Sequence, residues 1–97
     1  MTDTRPIRTV HVLIEGRVQG VYYRAWTQQI ARELGLHGWV QNRRDGAVEA
    51  VFSGDPVSVD RMLRRCEEGP PDALVTNVTV ISEGGSVPDG FSIRRTN

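Results

Sequence analysis

Between Thr9 and Glu15 the chain alternates. Val10, Val12 and Ile14 fall on one side, Thr9, His11 and Glu15 on the other, and only Leu13 breaks the pattern. A period of two predicts a half-buried strand. From Tyr22 to Leu34 the spacing becomes helical: Tyr23, Thr27, Ile30 and Leu34 line one stripe, and Gly35 stands where a left-handed residue ends a helix. Two β-rich stretches follow, "LHGWVQN" and "AVEAVFS", separated by "RRDG", whose Asp45-Gly46 pair is a strong hairpin signal. A second helix opens at Asp55-Pro56, because the aspartate can cap it and proline suits the first helical position. Val59, Met62, Leu63 and Cys66 give it an apolar face, and "EEGPPD" ends it. "ALVTNVTVIS" reads as a strand, "EGGSVPDG" as a loop and "FSIRR" as a short last strand.

This order predicts one α+β domain over residues 1–97, with residues 1–6 as a flexible tail. The expected architecture is a ferredoxin-like α/β sandwich, β-α-β-β-α-β, with an antiparallel sheet and a short extra C-terminal strand. Right-handed crossovers make the first two strands parallel, with the third fitted antiparallel between them. The C-terminal ends of strands one and two then share one edge of the sheet. The first end carries "GRVQGVYYR", Gly16 to Arg24, and the second carries Asn42.

That edge has two readings. A helix N-terminus offers unpaired amides and a partial positive charge, and a glycine-containing turn can fold its own amides toward the same point. Gly16 and Gly20 tolerate the positive φ of a tight turn, and Arg24, in the first helical turn, can curl its planar fork back over a phosphate. Equally, any strand-to-helix turn can contain glycine, and a first-turn arginine can be a solvated surface residue. Asn42 can be a turn residue, or it can hold a water beside the cradle by donating and accepting hydrogen bonds.

Composition narrows the chemistry. Twelve basic and 12 acidic residues cancel over 97, which gives no ground for nonspecific nucleic-acid binding or attraction to a membrane surface. Cys66 is the only cysteine, which excludes a disulfide framework and a Cys-rich zinc site. No apolar run approaches the ~20 residues of a membrane span. "MTDTRPIR" lacks the apolar core of a secretory signal, so a cytoplasmic protein is expected. Val18 stands six residues before Arg24, where a Cys-x5-Arg signature would need its thiol, and no Asp-x-Asp or histidine cluster offers a metal site. A site with a cation, amides and one asparagine, but no acid, suits a leaving group that needs no proton. An acyl phosphate fits that requirement and an alkyl phosphate does not.

Other conspicuous residues have plainer readings. His11 and His37 read as surface or structural histidines, and Glu15 as a packing or salt-bridge residue. Trp39, Phe52, Phe91 and Tyr23 read as core, Trp26 as partly exposed and Cys66 as a buried thiol. Arg43 and Arg44 read as solvated hairpin residues able to steer an anion. An RNA-binding module of the same fold would need stacking aromatics and basic residues on its open sheet face. The third strand instead offers only Phe52, with Glu49 acidic.

"GRVQGVYYR" followed by "GWVQNRRDGAVEA" closely resembles the two signature blocks of the acylphosphatase family, and "GPPDALVTNVTV" and "FSIRR" resemble its later segments. The similarity spans about residues 8–95, with Tyr23 where the family usually has phenylalanine. The resemblance implies hydrolysis of acyl phosphates to carboxylate and inorganic phosphate, with no cofactor, no metal and no covalent intermediate. Arg24 would bind the phosphate, the backbone amides of Gln19, Gly20, Val21 and Tyr22 would share its oxygens, and Asn42 would orient the attacking water. The water's proton would pass to the substrate phosphate. The expected partners are a small acyl phosphate and inorganic phosphate as product and inhibitor, for a monomer that binds neither nucleic acid nor membrane. A similar domain also serves in larger carbamoyl-transfer proteins, but those carry zinc-finger cysteines that this chain lacks.

Overall fold

The computed structural model describes residues 6–96. Its elements are β1 (Arg8–Arg17), α1 (Tyr23–Glu33), β2 (His37–Asn42), β3 (Val48–Gly54), α2 (Pro56–Glu68), β4 (Leu74–Glu83) and β5 (Phe91–Ile93). Most of the expected tail, residues 1–5, lies outside the described residues. The strands form one sheet in the order β4-β1-β3-β2-β5. Pairing is antiparallel among the four main strands. The short last strand joins β2 in parallel, which makes the sheet mixed.

The period-two pattern explains the layers. Val10, Val12 and Ile14 of β1 and Val48, Ala50 and Phe52 of β3 are fully buried, on the face that both helices cover. Against them pack Tyr23, Ile30 and Ala31 of α1 and Val59, Met62 and Cys66 of α2. The expected caps are present. The Asp55 carboxylate accepts from the Val57 amide at 2.8 Å, with Pro56 opening α2. At the end of α1, Leu36 N–H donates to Ala31 and Gly35 N–H to Arg32, the paired bonds of a Schellman motif, and Leu36 is buried behind them.

Three expectations need correction. Trp39 is not core. It is half-buried on the open face of the sheet, where the Arg94 guanidinium stacks 4.3 Å from its ring centroid and the His11 ring meets it edge-on. Alternation along β2 gives the covered face to Val40 instead. Gly16 does not form the turn. β1 runs on to Arg17, and Gly16 sits at a register shift with φ 123°, so close to β4 that a Cβ would stand 2.1 Å from the Leu74 carbonyl oxygen. Glu15 is exposed rather than packed.

Candidate active site

The segment from Val18 to Tyr22 links β1 to α1. Val18 and Val21 are pinned in the core, and Gly20, exposed between them, takes φ 74°. Tyr22 also adopts a left-handed conformation, φ 62° and ψ 26°, and this starts α1 one residue later than the apolar spacing suggests. It is the only positive-φ residue other than glycine among the described residues, and strain of this kind concentrates at functional turns. No side chain caps α1 and no acidic residue sits in its first turn. The first helical bond runs from Trp26 N–H to Tyr22, so the amides ahead of it have no helical partner. The positive end of the helix dipole is therefore open to an anion.

A cavity of about 450 Å³ lies at this point. Gly20, Tyr22 and Arg24 line it from the β1–α1 side, Asn42 from the end of β2, and Ile93 from β5. The two side chains that topology was expected to bring together thus share one cavity, and Gly20 and Tyr22 share it with them. Gln19 and Val21, the other two members of the predicted amide cradle, are not in its wall. Arg24 and Asn42 are both half-buried. Neither takes part in the side-chain hydrogen bonds or ion pairs found among the described residues. A guanidinium and an amide so placed can bind an anion and a water without first breaking an internal bond.

The side chain of Gln19 has a role that no sequence pattern signals. Its Nε2 donates to the carbonyl oxygens of Arg43 at 2.7 Å and Ala47 at 2.8 Å. These flank the hairpin that begins right after Asn42, whose own closure includes Arg43 N–H to Ala47 at 2.8 Å. One half-buried amide thus ties the turn before α1 to the loop after β2. The only hint in the sequence is a glutamine between hydrophobic and glycine turn residues, which needs carbonyl partners if it is shielded from water.

The remaining ionisable groups lie elsewhere. Glu49 is nearly buried on the open sheet face. Desolvation pulls its carboxyl upward, but hydrogen bonds from Gln41 and His11 and the charges of His11 and Arg43 outweigh that and hold it below the usual carboxylate range. Arg43 is thus tied to Asp45 and Glu49 rather than fully solvated, while Arg44 is exposed. His37 accepts from the Gly90 amide through Nδ1 at 2.7 Å and so holds the start of β5. Among the described residues no three His, Cys, Asp or Glu side chains gather as a metal site, and no helix is long and apolar enough to cross a membrane.

A model of the acylphosphatase family matches residues 10–93. An acylphosphatase of Haloquadratum walsbyi is 48% identical over 95 residues, covering 98% of this chain and 100% of the relative. One from Haloarcula marismortui is 50% identical over 84 residues, covering 87% and 92%. The solved structure of an acylphosphatase from Coxiella burnetii superimposes with a TM-score of 0.86 at 37% identity, over 91% of this chain and 93% of that one.

Proposed function

The chain belongs to the acylphosphatase family and hydrolyses acyl phosphates, and we propose that the cavity between the β1–α1 turn and the end of β2 is where it does so. The convergence of Arg24 and Asn42, from elements 18 residues apart in sequence (24 to 42), on one wall-to-wall cavity supports this assignment. The phosphoryl oxygens lie against the amides of Gly20 and Tyr22 and the N-terminus of α1, with the Arg24 fork making two parallel hydrogen bonds to them. Asn42 holds a water in line with the phosphorus.

The water oxygen attacks phosphorus as the bond from phosphorus to the acyl oxygen breaks, and the electron pair leaves with the carboxylate. The water's proton passes to a phosphoryl oxygen, so the products are a carboxylate and inorganic phosphate. A carboxylate has an ordinary pKa near ~4 and departs without an acid. What the protein supplies is position and stabilisation of charge already on the phosphoryl group. No covalent phosphoenzyme and no metal enter this scheme. The protein is taken as a cytoplasmic monomer, its single cysteine being a buried free thiol that suits a reducing compartment, with inorganic phosphate as a competing product.

The test compares leaving groups. Acetyl and benzoyl phosphate should turn over far faster than an alkyl monoester or p-nitrophenyl phosphate, with rates unchanged by EDTA. Comparable rates on an alkyl monoester, or an EDTA loss restored by Mg²⁺ or Zn²⁺, would overturn the scheme.

A further inference from the structure

Asn42 belongs to a strand whose other face is gripped. It stands opposite buried Val48 in the β2–β3 register, on the side that the helices cover, and it lines the cavity with Arg24. Alternation gives its neighbours Gln41 and Arg43 to the open side of the sheet. There both meet one carboxylate. Gln41 Nε2 donates to Glu49 Oε1 at 2.8 Å, and Arg43 Nη1 lies 3.9 Å from the same oxygen. His11 Nε2 meets the other oxygen at 2.5 Å.

Stability alone does not account for a carboxylate at this position. Glu49 is 9% exposed, and Val51, two residues on and on the same face, is apolar and buried. Burial penalises the charge, and an apolar side chain of similar size often serves stability as well as a buried ion pair does. What an apolar side chain lacks is direction. The end of a strand can roll about its own axis, and bonds that hold residues 41 and 43 on one face fix where residue 42 points on the other. The backbone of the same segment is tied separately, by Gln19 to the carbonyls of Arg43 and Ala47. Asn42 thus lies between two neighbours whose side chains share a single buried anchor.

We propose that Glu49 is a positioning residue for hydrolysis: by holding Gln41 and Arg43 on the open face, it aims the Asn42 amide into the cavity. The proposal rests on Asn42 orienting the attacking water there. Glu49 touches no reacting atom and acts through Asn42. It therefore matters to turnover and not to the hold on the anion, which belongs to Arg24 and the turn before α1.

The test measures acetyl phosphate turnover and calorimetric binding of inorganic phosphate on the intact protein. Glu49→Ala should lower kcat about tenfold or more, the scale on which small misplacements act, and leave the phosphate dissociation constant within about twofold. Glu49→Gln, whose amide oxygen still accepts from Gln41, should keep kcat within about threefold. Gln41→Ala removes the gripped side chain instead and should lower kcat in the same way, which supplies the measurement if Glu49→Ala does not fold. In an Asn42→Ala background, adding Glu49→Ala should slow turnover by less than about twofold more, because the group it aims is gone. A folded Glu49→Ala or Gln41→Ala with full kcat would overturn the proposal. So would a Glu49→Gln as slow as Glu49→Ala, phosphate binding that weakens in step with kcat, or a full further loss in the Asn42→Ala background. The water-holding reading fails separately. A full-rate Asn42→Ala beside a slow Glu49→Ala overturns both, whereas a slow Asn42→Ala beside a full-rate Glu49→Ala overturns the positioning role alone.

Discussion

The Gln19 side chain donates to the carbonyl oxygen of Ala47 at 2.8 Å, across 28 residues of sequence. With its second bond, to Arg43, it ties the turn before α1, whose amides are proposed to bind the anion, to the hairpin that follows Asn42. Two net hydrogen bonds of ~1 kcal/mol each set the scale of its loss. We predict that Gln19→Ala lowers stability by about 1–2 kcal/mol, read as a drop in Tm of ~4–8 °C per kcal/mol for a domain of this size. Turnover should fall by about tenfold or more at a temperature where the variant is folded, because slight misplacement of a catalytic group is costly. Gln19→Glu should be worse at neutral pH, since a carboxylate cannot donate to either carbonyl, and should partly recover as the pH falls and it protonates. A folded Gln19→Ala with full kcat would show that the strap does not position Asn42.

A second tie joins the two helices. Tyr23, in the first turn of α1, is 2% exposed, and its hydroxyl donates at 2.6 Å to the carbonyl oxygen of Cys66 near the end of α2. That carbonyl is one of the last four of its helix, which have no helical amide to accept from. The hydroxyl therefore explains tyrosine where the resemblance would lead one to expect phenylalanine. Tyr23→Phe should lose about 1 kcal/mol, measured by urea unfolding. An unchanged midpoint would mean that water or a shifted backbone replaces the bond at no cost.

The same pair predicts alkaline sensitivity. Burial pushes the Cys66 thiol from 9.0 up to about 12. It also raises the Tyr23 phenol well above its ordinary 10.0, helped by Cys66. Both groups hold their protons more tightly when folded, so their contribution is complete below pH 9.0 and is lost as the pH rises through the window up to about 12. Each ionising group contributes a slope of about 1.4 kcal/mol per pH unit. Urea midpoints should fall between pH 8.5 and roughly 11, and Cys66→Ala should flatten the early part of that fall. A midpoint that stays level in the wild type to pH ~11 would contradict the burial argument. A thiol reagent should also label Cys66 only after unfolding.

Much of this architecture is legible in residue order. Alternation at Val10, Val12 and Ile14 marks β1 and its buried face, and Asp55-Pro56 marks the start of α2. The crossover rule alone brings Arg24 and Asn42 to one edge, and they do line one cavity. What stays hidden depends on contacts with no period. Trp39 and Val40 are adjacent and both apolar, so hydrophobicity cannot say which faces the helices; Arg94, 55 residues on (94 less 39), covers the tryptophan. Gly16 looks like a turn residue because close approach to Leu74 leaves no mark in its neighbours. Gln19 bonds to backbone carbonyls, which every residue carries, so its partners have no signature.

The two central side chains should separate cleanly by free energy. In the proposed scheme Arg24 faces charge that the phosphoryl group carries in both ground and transition states, whereas Asn42 acts on a water whose position matters only as bonds change. Arg24→Gln should therefore weaken inorganic phosphate binding and also depress turnover, and Arg24→Lys should rescue poorly because an ammonium lacks the two-pronged fork. Asn42→Ala should cut kcat by about 10²–10³, the scale for losing one positioned donor, while phosphate still binds. Phosphate titration supplies the control. At ~100 times its dissociation constant it should stabilise the wild type and Asn42→Ala alike by about 2.7 kcal/mol, and at that same concentration it should stabilise Arg24→Gln much less. Phosphate should also compete with acyl phosphate for the free enzyme. If Asn42→Ala is folded and keeps wild-type kcat, the water is held by something else, and the anion cradle alone would have to align it. If phosphate stabilises Arg24→Gln as much as the wild type, the guanidinium does not hold the anion, and the amides of Gly20 and Tyr22 would carry that role unaided.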